Sequence, residues 1–291
     1  MQYISYSSSG DVHVLTKGDL EQRDDNLLEF TFESLRSVRD KSPLSARISS
    51  KGALIKEIYT IFQAISNGLS VENLRQTVVE GRLLLHSSYE TRRSIWNHIN
   101  RRYFAFNNEW VIRSLAEASK EGINSPSFLS LAYLYYVMRD KLTFRFVTGP
   151  LWERWKERII TIDKGDFLSF LDQESQINSI IDRWYDSTKK KLASNMLSAL
   201  RDFGALNGVR KKKIQRPTIA PETVFHLLRI LMAEGLRGQS IIEASDWRMF
   251  LWNEADIAHA LNKLSFRRWI GFEKTGRTVI IELKKFPDVR K

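Results

Sequence analysis

The sequence predicts a mainly α protein with short β-hairpins, a multi-module helical chain with winged-helix-like (helix-turn-helix) units. Apolar residues recur at helical spacing along most of the chain, and short turns with Gly, Pro, Asn or Ser separate these segments. Several helical segments are followed by short alternating runs around a turn, as in a hairpin. The length of 291 residues, with 43% hydrophobic and 27% charged residues, allows two or three globular domains.

Residues 1–110 are predicted to form an N-terminal arm followed by a helix-turn-helix-like unit. The first forty residues are polar with an acidic stretch, which favours a partly irregular arm. Three segments with helical periodicity follow, the third from about Ser88 to Tyr103. We expect a small hairpin around Asn107-Asn108 after the third helix.

The third helix of this unit is the most basic of the three, and its polar face predicts a contact with nucleic acid. Arg and Asn are the side chains that make paired hydrogen bonds to guanine and adenine edges. Half or more of the hydrogen bonds to DNA go to its backbone, however, so base reading and phosphate binding are both open for this face. The candidate residues here are Arg92, Arg93, Asn97 and Arg101.

Residues 111–217 are predicted to form an aromatic-rich helical core that leads into a basic winged-helix-like unit. The density of aromatic side chains favours a buried core over a base-stacking platform. The longest uncharged apolar run, from Ser127 to Met138, is too short to span a membrane and predicts a buried helix.

The most basic part of the chain is the segment 183–217, which has ten Lys or Arg against two acidic residues, while the whole chain has a net charge of +11. Within it an amphipathic helix is predicted to be capped by Asp186 or Ser187, to end at Gly204 and to precede a basic hairpin. Lysines in its first turn would oppose the helix dipole, which suits a phosphate bridging them to the free N–H groups. The alternative is a solvated charged face. The candidate residues are Lys189, Lys190, Lys191, Arg210, Lys211, Lys212, Lys213 and Arg216.

Residues 218–291 are predicted to form a C-terminal winged helix, preceded by a linker or tight connection with the sequence QRPTIAPET. A helix, a second short segment, a third helix and a hairpin follow in the order of that fold. Asn253 and Asp256 resemble a capping box at the start of the third helix. Basic residues near a helix C-terminus also complement its dipole, which is the alternative to a nucleic-acid contact. The candidate residues are Arg267, Arg268, Lys274 and Arg277.

Composition and motifs leave no site for catalysis, a metal or a cofactor. The chain has no cysteine, and its five histidines are scattered without metal-ligand spacing. No phosphate-binding glycine loop or nucleophile elbow is present. We therefore expect a protein that is not an enzyme and needs no cofactor. The absence of cysteine and of a signal peptide favours a cytoplasmic location without membrane contact, and the absence of a heptad run favours a monomer.

Two segments resemble the BrxA family of BREX bacteriophage-resistance systems. Residues 45–103 contain the helical region with the basic third helix, and residues 183–206 contain the pattern W-x-D-S-T-K-K-K-L followed by a helix and Gly. The resemblance covers roughly residues 1–217, with the C-terminal winged helix as a variable extension. It implies a bacterial DNA-binding protein that acts beside a methyltransferase, an ATPase and other BREX proteins. The family's likeness to NusB, an RNA-binding antitermination factor, implies RNA as an alternative ligand.

The function predicted from the residues and the resemblance is binding of double-stranded DNA, mainly through the phosphate backbone, within a phage-defence system. One alternative is an RNA-binding factor. Another is an assembly scaffold whose basic surfaces bind acidic protein partners. Lysine clusters attract any polyanion, so the sequence leaves these alternatives open.

Overall fold

The computed structural model of the chain describes residues 3–6, 12–15, 34–47, 49–85 and 88–284. Within these ranges the protein is mainly helical with a few short antiparallel strands, which confirms the predicted mainly α class. The arm predicted for the first forty residues lies largely outside the described residues.

The helices of the described ranges are numbered in chain order. They are α1 (Ile55–Ser66), α2 (Val71–Val79), α3 (Tyr89–Ile99), α4 (Glu109–Ser119), α5 (Pro126–Arg139), α6 (Lys141–Phe146), α7 (Trp152–Lys156), α8 (Lys164–Ser175), α9 (Asp186–Asp202), α10 (Pro221–Ala233), α11 (Gln239–Ile242) and α12 (Glu254–Phe266). Two π-helical segments, Asn100–Phe104 and Val147–Leu151, extend α3 and α6, and a 3-10 helix covers Ser245–Phe250.

The strands pair only in an antiparallel sense within the described residues. They are β1 (Tyr3–Tyr6), β2 (Val12–Leu15), β3 (Thr161–Ile162), β4 (Leu206–Asn207), β5 (Lys212–Ile214), β6 (Ile270–Thr275) and β7 (Thr278–Leu283). β1 pairs with β2, β6 pairs with β7, and β5 lies between β3 and β4 in a three-stranded sheet.

Helix α5 lies at the centre of the core, because apolar side chains surround it on every side. Every residue from Leu131 to Met138 is buried. The hydroxyl of Tyr133 donates to the carbonyl of Met249 at 2.9 Å, so this buried polar group has a partner in the interior. The predicted buried helix is therefore confirmed.

One hydrophobic core extends from Leu35 to Val279 and includes residues from all three predicted domains. The connection at 215–220 is part of it, since Pro217 and Ala220 are buried and the amide of Ala220 donates to the Ser130 hydroxyl at 3.2 Å. Of the two alternatives for QRPTIAPET, the structure therefore has the tight connection.

The segment 34–47, called the strap below, crosses between the predicted units. Arg39 pairs with Glu234 at 2.8 Å and with Asp246 at 2.5 Å, both in the C-terminal part of the chain. Arg139 of α5 donates to two strap carbonyls, those of Ser37 and Val38. The strap thus contacts both α5 and the last quarter of the chain.

The hairpin predicted around Asn107-Asn108 is wrong. Asn108 is the N-cap of α4, where its side chain accepts a hydrogen bond from the amide of Val111 at 3.0 Å. Asn107 has a left-handed backbone with φ of 46°. Asparagine suits this conformation and also caps helices, so the pair marks a helix start instead of a strand turn.

The C-terminal segment has the order α10, α11, 3-10 helix, α12 and the β6–β7 hairpin. The capping box predicted at the start of α12 is confirmed, because Asn253 and Asp256 each accept from the other's amide at 3.0 Å. The predicted hairpin is also confirmed, and Gly276 takes the positive φ of 59° that its tight turn requires.

Candidate nucleic-acid interface

Helix α9 presents its lysines on the solvent side, because its opposite face is apolar. Leu192, Met196 and Leu200 are buried, whereas Lys190 and Lys191 are exposed, and Lys189 is half-buried. The predicted end of this helix at Gly204 is confirmed by a φ of 83°.

The predicted start of α9 is wrong. Tyr185 is the N-cap, with an extended backbone and no capping bond from its side chain, so neither Asp186 nor Ser187 caps the helix. The carbonyl of Tyr185 already accepts from the amides of Thr188 and Lys189. The three lysines are therefore the fourth to sixth residues of the helix. A phosphate that bridges them to the N–H groups of the first turn stays a prediction.

The β4–β5 hairpin follows α9 and carries the second basic cluster. Along β5 the side chains alternate, since Lys212 and Ile214 are buried while Lys213 is exposed. Arg210 and Lys211 are exposed in the turn between the strands. This hairpin is the basic segment that was predicted after the helix.

Lys212 has a structural role within this hairpin. Its ammonium group donates to the carbonyl of Val209 at 2.7 Å. Burial lowers the pKa of Lys212, and the nearby cations Arg201 and Lys164 lower it further. Sequence reasoning did not select Lys164, although the capping pattern from Asp163 places it at the start of a helix.

Some candidate residues on α3 and its extension pack against the protein, and others are exposed to solvent. Arg92 donates to the carbonyl of Val79 at 2.9 Å and lies against Gly81, so it holds α3 to the end of α2. Asn97 is exposed, and Arg93 is exposed with Glu90 at 3.6 Å. Arg101 is half-buried in the π-helical extension.

Acidic residues hold several of the candidates in the last part of the chain. Arg216 forms a two-bond pair with Asp256 at 2.9 and 2.7 Å. Lys274 lies 3.1 Å from Glu254. Both acids belong to the first turn of α12. This turn therefore compensates the charge of Arg216, which follows β5, and that of Lys274 in β6.

The end of α12 carries the remaining candidates. Arg267 has Glu222 at 3.7 Å and lies over the ring of Trp269 at 5.2 Å. Arg268 and Arg277 are exposed.

The structure thus leaves one coherent set of exposed or half-exposed cations without an acidic partner among the described residues. These are Lys189, Lys190, Lys191, Arg210, Lys211 and Lys213. Lys190 lies about 18 Å from Asp202, the last residue of α9, at a rise of 1.5 Å per residue along the helix axis. The second cluster follows that end of the helix in the β4–β5 hairpin.

Other kinds of site are not found in the described part of the chain. Among residues 34–47, 49–85 and 88–284, no group of three or more His, Asp or Glu side chains is placed to hold a metal ion. In the same described ranges, every helix is too short or too polar to cross a membrane.

Comparison with known proteins gives a family and a fold. The model of the BrxA family matches residues 42–231. The crystal structure of an uncharacterized protein from Magnetospirillum magneticum is similar with a TM-score of 0.55, over 72% of this chain and 100% of that chain, at 14% sequence identity. That identity shows a common fold alone. No curated protein matches the chain. Because the family match spans more than half of the sequence, the chain belongs to the BrxA family of BREX bacteriophage-resistance systems.

Proposed function

We propose that this protein binds double-stranded DNA, mainly through the phosphate backbone, as a non-enzymatic component of BREX phage defence. The observation that carries the proposal is the set of six cations at the two ends of α9, which have no acidic partner among the described residues. When Arg or Lys groups without acidic partners neutralise phosphates, the counterions condensed on the DNA are released. This release favours binding independently of the DNA sequence.

The two clusters belong to neighbouring elements, α9 and the hairpin that follows it. A duplex carries one phosphate per about 3.4 Å along each strand, so cations at both places can contact phosphates of the same DNA molecule. Asn97 and Arg93 on α3 add polar groups that bind phosphate in this proposal, because charge alone accounts for the attraction.

The proposal includes two winged-helix-like units. In the first, α9 and the β4–β5 hairpin present the exposed cations. In the second, α12 and the β6–β7 hairpin present Arg268 and Arg277. The order of helices followed by a hairpin supports this interpretation. The protein is proposed to act as a cytoplasmic monomer without a cofactor, beside the methyltransferase and the ATPase of its system.

An assembly scaffold is the second candidate function, and a separate observation favours it. Ile177 is 69% exposed and Ile180 is 38% exposed in the connection between α8 and α9. Exposed apolar side chains beside cations are common at protein interfaces.

A salt series with the full chain tests the proposal. Binding to duplex DNA, single-stranded DNA and structured RNA is measured at several salt concentrations. With about six to eight phosphate contacts, the slope of log K against log[salt] on duplex DNA should lie between about −5 and −7. A slope shallower than about −2 contradicts organised phosphate binding and favours the scaffold. Tighter binding to structured RNA than to duplex DNA at every salt concentration makes RNA the ligand.

A further inference from the structure

The tip of the β4–β5 hairpin exposes an apolar side chain next to two cations. Val209 is 76% exposed. Arg210 and Lys211 follow it directly and are also exposed. The exposed side chain of Val209 and the two cations beside it are together available to a ligand that has an apolar surface close to negative charges.

Two constraints hold this tip in one shape. Gly208 has a φ of +94°, and a Cβ there would lie 2.4 Å from the carbonyl oxygen of Lys211, so only glycine allows this turn. On the other side, the ammonium group of Lys212 donates to the carbonyl of Val209 at 2.7 Å. The backbone that presents Val209 is therefore ordered before a ligand arrives, which lowers the entropy cost of binding.

The base of the hairpin is anchored in the core. Leu206 and Ile214 pair across the two strands and are 1% and 4% exposed. β5 also pairs with β3, and α9 packs beside β4. The tip therefore projects from a base that neighbouring strands and α9 hold in place.

From these observations we infer that Val209 is an apolar wedge that enters the minor groove of duplex DNA and bends it, while Arg210 and Lys211 contact the flanking phosphates. The inference rests on the proposed function. Apolar side chains inserted between base steps from the minor groove kink the duplex by roughly 20–90°. A single apolar side chain beside two cations matches a base step between two phosphates, whereas the centre of a protein interface needs several apolar residues.

The wedge also predicts where the protein prefers to bind. Pyrimidine–purine steps such as TA unstack easily, while A-tracts are stiff. Insertion of Val209 therefore favours duplexes that place a TA step under the hairpin tip, even though no hydrogen bond reads the bases.

Binding and bending of one duplex by the full chain test the inference. The DNA has about 25 base pairs, a central TA step and a fluorophore at each end. Anisotropy gives the affinity, and energy transfer between the ends gives the bend. We expect the wild-type chain to raise the energy transfer, Val209→Ala to abolish most of that rise with an affinity loss below about tenfold, and Val209→Leu to keep the rise. Ile177→Ala, which truncates another exposed apolar side chain, serves as the matched control and should bend DNA as the wild type does.

The outcomes separate the wedge from the proposed function. If the wild-type chain binds the duplex without bending it, or if Val209→Ala bends it fully, the wedge is wrong and DNA binding stands. If the wild-type chain does not bind duplex DNA, the proposed function fails and the wedge fails with it. Equal melting temperatures of the variants and the wild type show that an unfolded tip is not the cause.

Discussion

At the scale of single residues, the fold decides which basic side chains remain available to a ligand. Arg216 and Lys274 face acids of α12, and Arg92 and Lys212 donate to main-chain carbonyls. A cation that is already compensated contributes little to phosphate binding, because the ligand must replace an existing partner. The lysines of α9 have no such partner among the described residues, which is why they carry the proposal.

His98 provides a residue-scale prediction about pH. It is buried, and burial together with the neighbouring guanidinium groups of Arg102 and Arg101 lowers its pKa from 6.5 to about 4. In the unfolded chain the imidazole gains its proton near pH 6.5, while in the folded chain it stays neutral until about pH 4. The contribution of His98 to the free energy of unfolding is therefore fully present above pH 6.5. It is lost as the pH falls to about 4, which lowers the free energy of unfolding by on the order of 3 kcal/mol.

Chemical unfolding of the wild type and of His98→Gln between pH 4 and pH 8 measures this effect. We expect the variant to lose less stability than the wild type below pH 6.5 and to run parallel to it above that value. Carboxylates titrate in both proteins, so the difference between the two curves isolates His98. Parallel curves over the whole range would show that His98 takes up its proton equally in both states.

At the scale of elements, α9 combines a buried apolar face with an exposed cationic one. Changing Lys189, Lys190 and Lys191 together to Ala removes three charges without touching the core. We expect the salt slope on duplex DNA to become shallower by about 2 to 3, at roughly 0.9 per lost contact, and the affinity to fall about tenfold or more. Anisotropy titrations at several salt concentrations measure both quantities, and thermal unfolding should be unchanged.

A matched control separates the placement of charge from its amount. Three exposed cations elsewhere pair with a glutamate three or four residues before them. They are Arg113 on α4 at 2.5 Å, Lys120 just after α4 at 2.6 Å and Lys156 on α7 at 3.1 Å. Changing these three to Ala lowers the net charge of +11 by the same amount. We expect it to leave the salt slope within about one unit of the wild type. An equal effect of both triple variants would mean that net charge, not the α9 surface, governs binding.

The strap supports a second prediction at the scale of elements. Arg39→Ala leaves the carboxylates of Glu234 and Asp246 without their guanidinium partner in a largely buried place. We expect a loss of about 2 to 4 kcal/mol in the free energy of unfolding, measured with urea. Burial already raises the pKa of Asp246, so without Arg39 the loss should be larger at high pH, where the carboxylate must be charged.

Two further variants check the cause of that loss. Asp246→Asn in the Arg39→Ala background removes one buried charge, so part of the stability should return. Lys41→Ala changes an exposed cation of the same strap and should stay within about 0.5 kcal/mol of the wild type. An Arg39→Ala protein as stable as the wild type would contradict the structural role of the strap.

At the scale of the whole molecule, the continuous core makes the three predicted domains depend on one another. In α5, Ser130 is 2.7 Å from the Thr223 hydroxyl and Tyr135 is 2.7 Å from Nδ1 of His226, so this helix binds α10 through buried polar groups as well as apolar contacts. Removing α10 leaves the Tyr135 hydroxyl without its His226 partner and exposes a buried face of α5.

Truncation after residue 217 tests this dependence. We expect residues 1–217 to lack a cooperative thermal transition, or to aggregate, as measured by circular dichroism and size-exclusion chromatography. A cooperative transition close to that of the full chain would instead support an independent C-terminal domain at the predicted boundary. The DNA contacts of that segment are better measured in the full chain with Arg268→Ala and Arg277→Ala, which are both exposed.

The amino-acid sequence alone determined the features that depend on neighbouring residues. Helical periodicity predicted α5 as a buried helix, Gly204 predicted the end of α9, and alternation predicted the β6–β7 hairpin. The sequence motif around the α9 lysines also indicated the family, because a motif can be compared with known families without a structure.

Only the tertiary structure decided which of the predicted site residues face solvent and which are compensated. Arg216 and Asp256 are forty positions apart, and Arg39 and Asp246 are still farther apart along the chain, so no local pattern reports either ion pair. The start of α9 was also missed, because Tyr185 precedes the helix without a capping bond from its side chain. The role of Asn108 was missed because asparagine occurs both in turns and at helix N-caps. Charge content follows from composition, whereas the availability of each charge depends on distant partners that folding brings within a few ångströms of it.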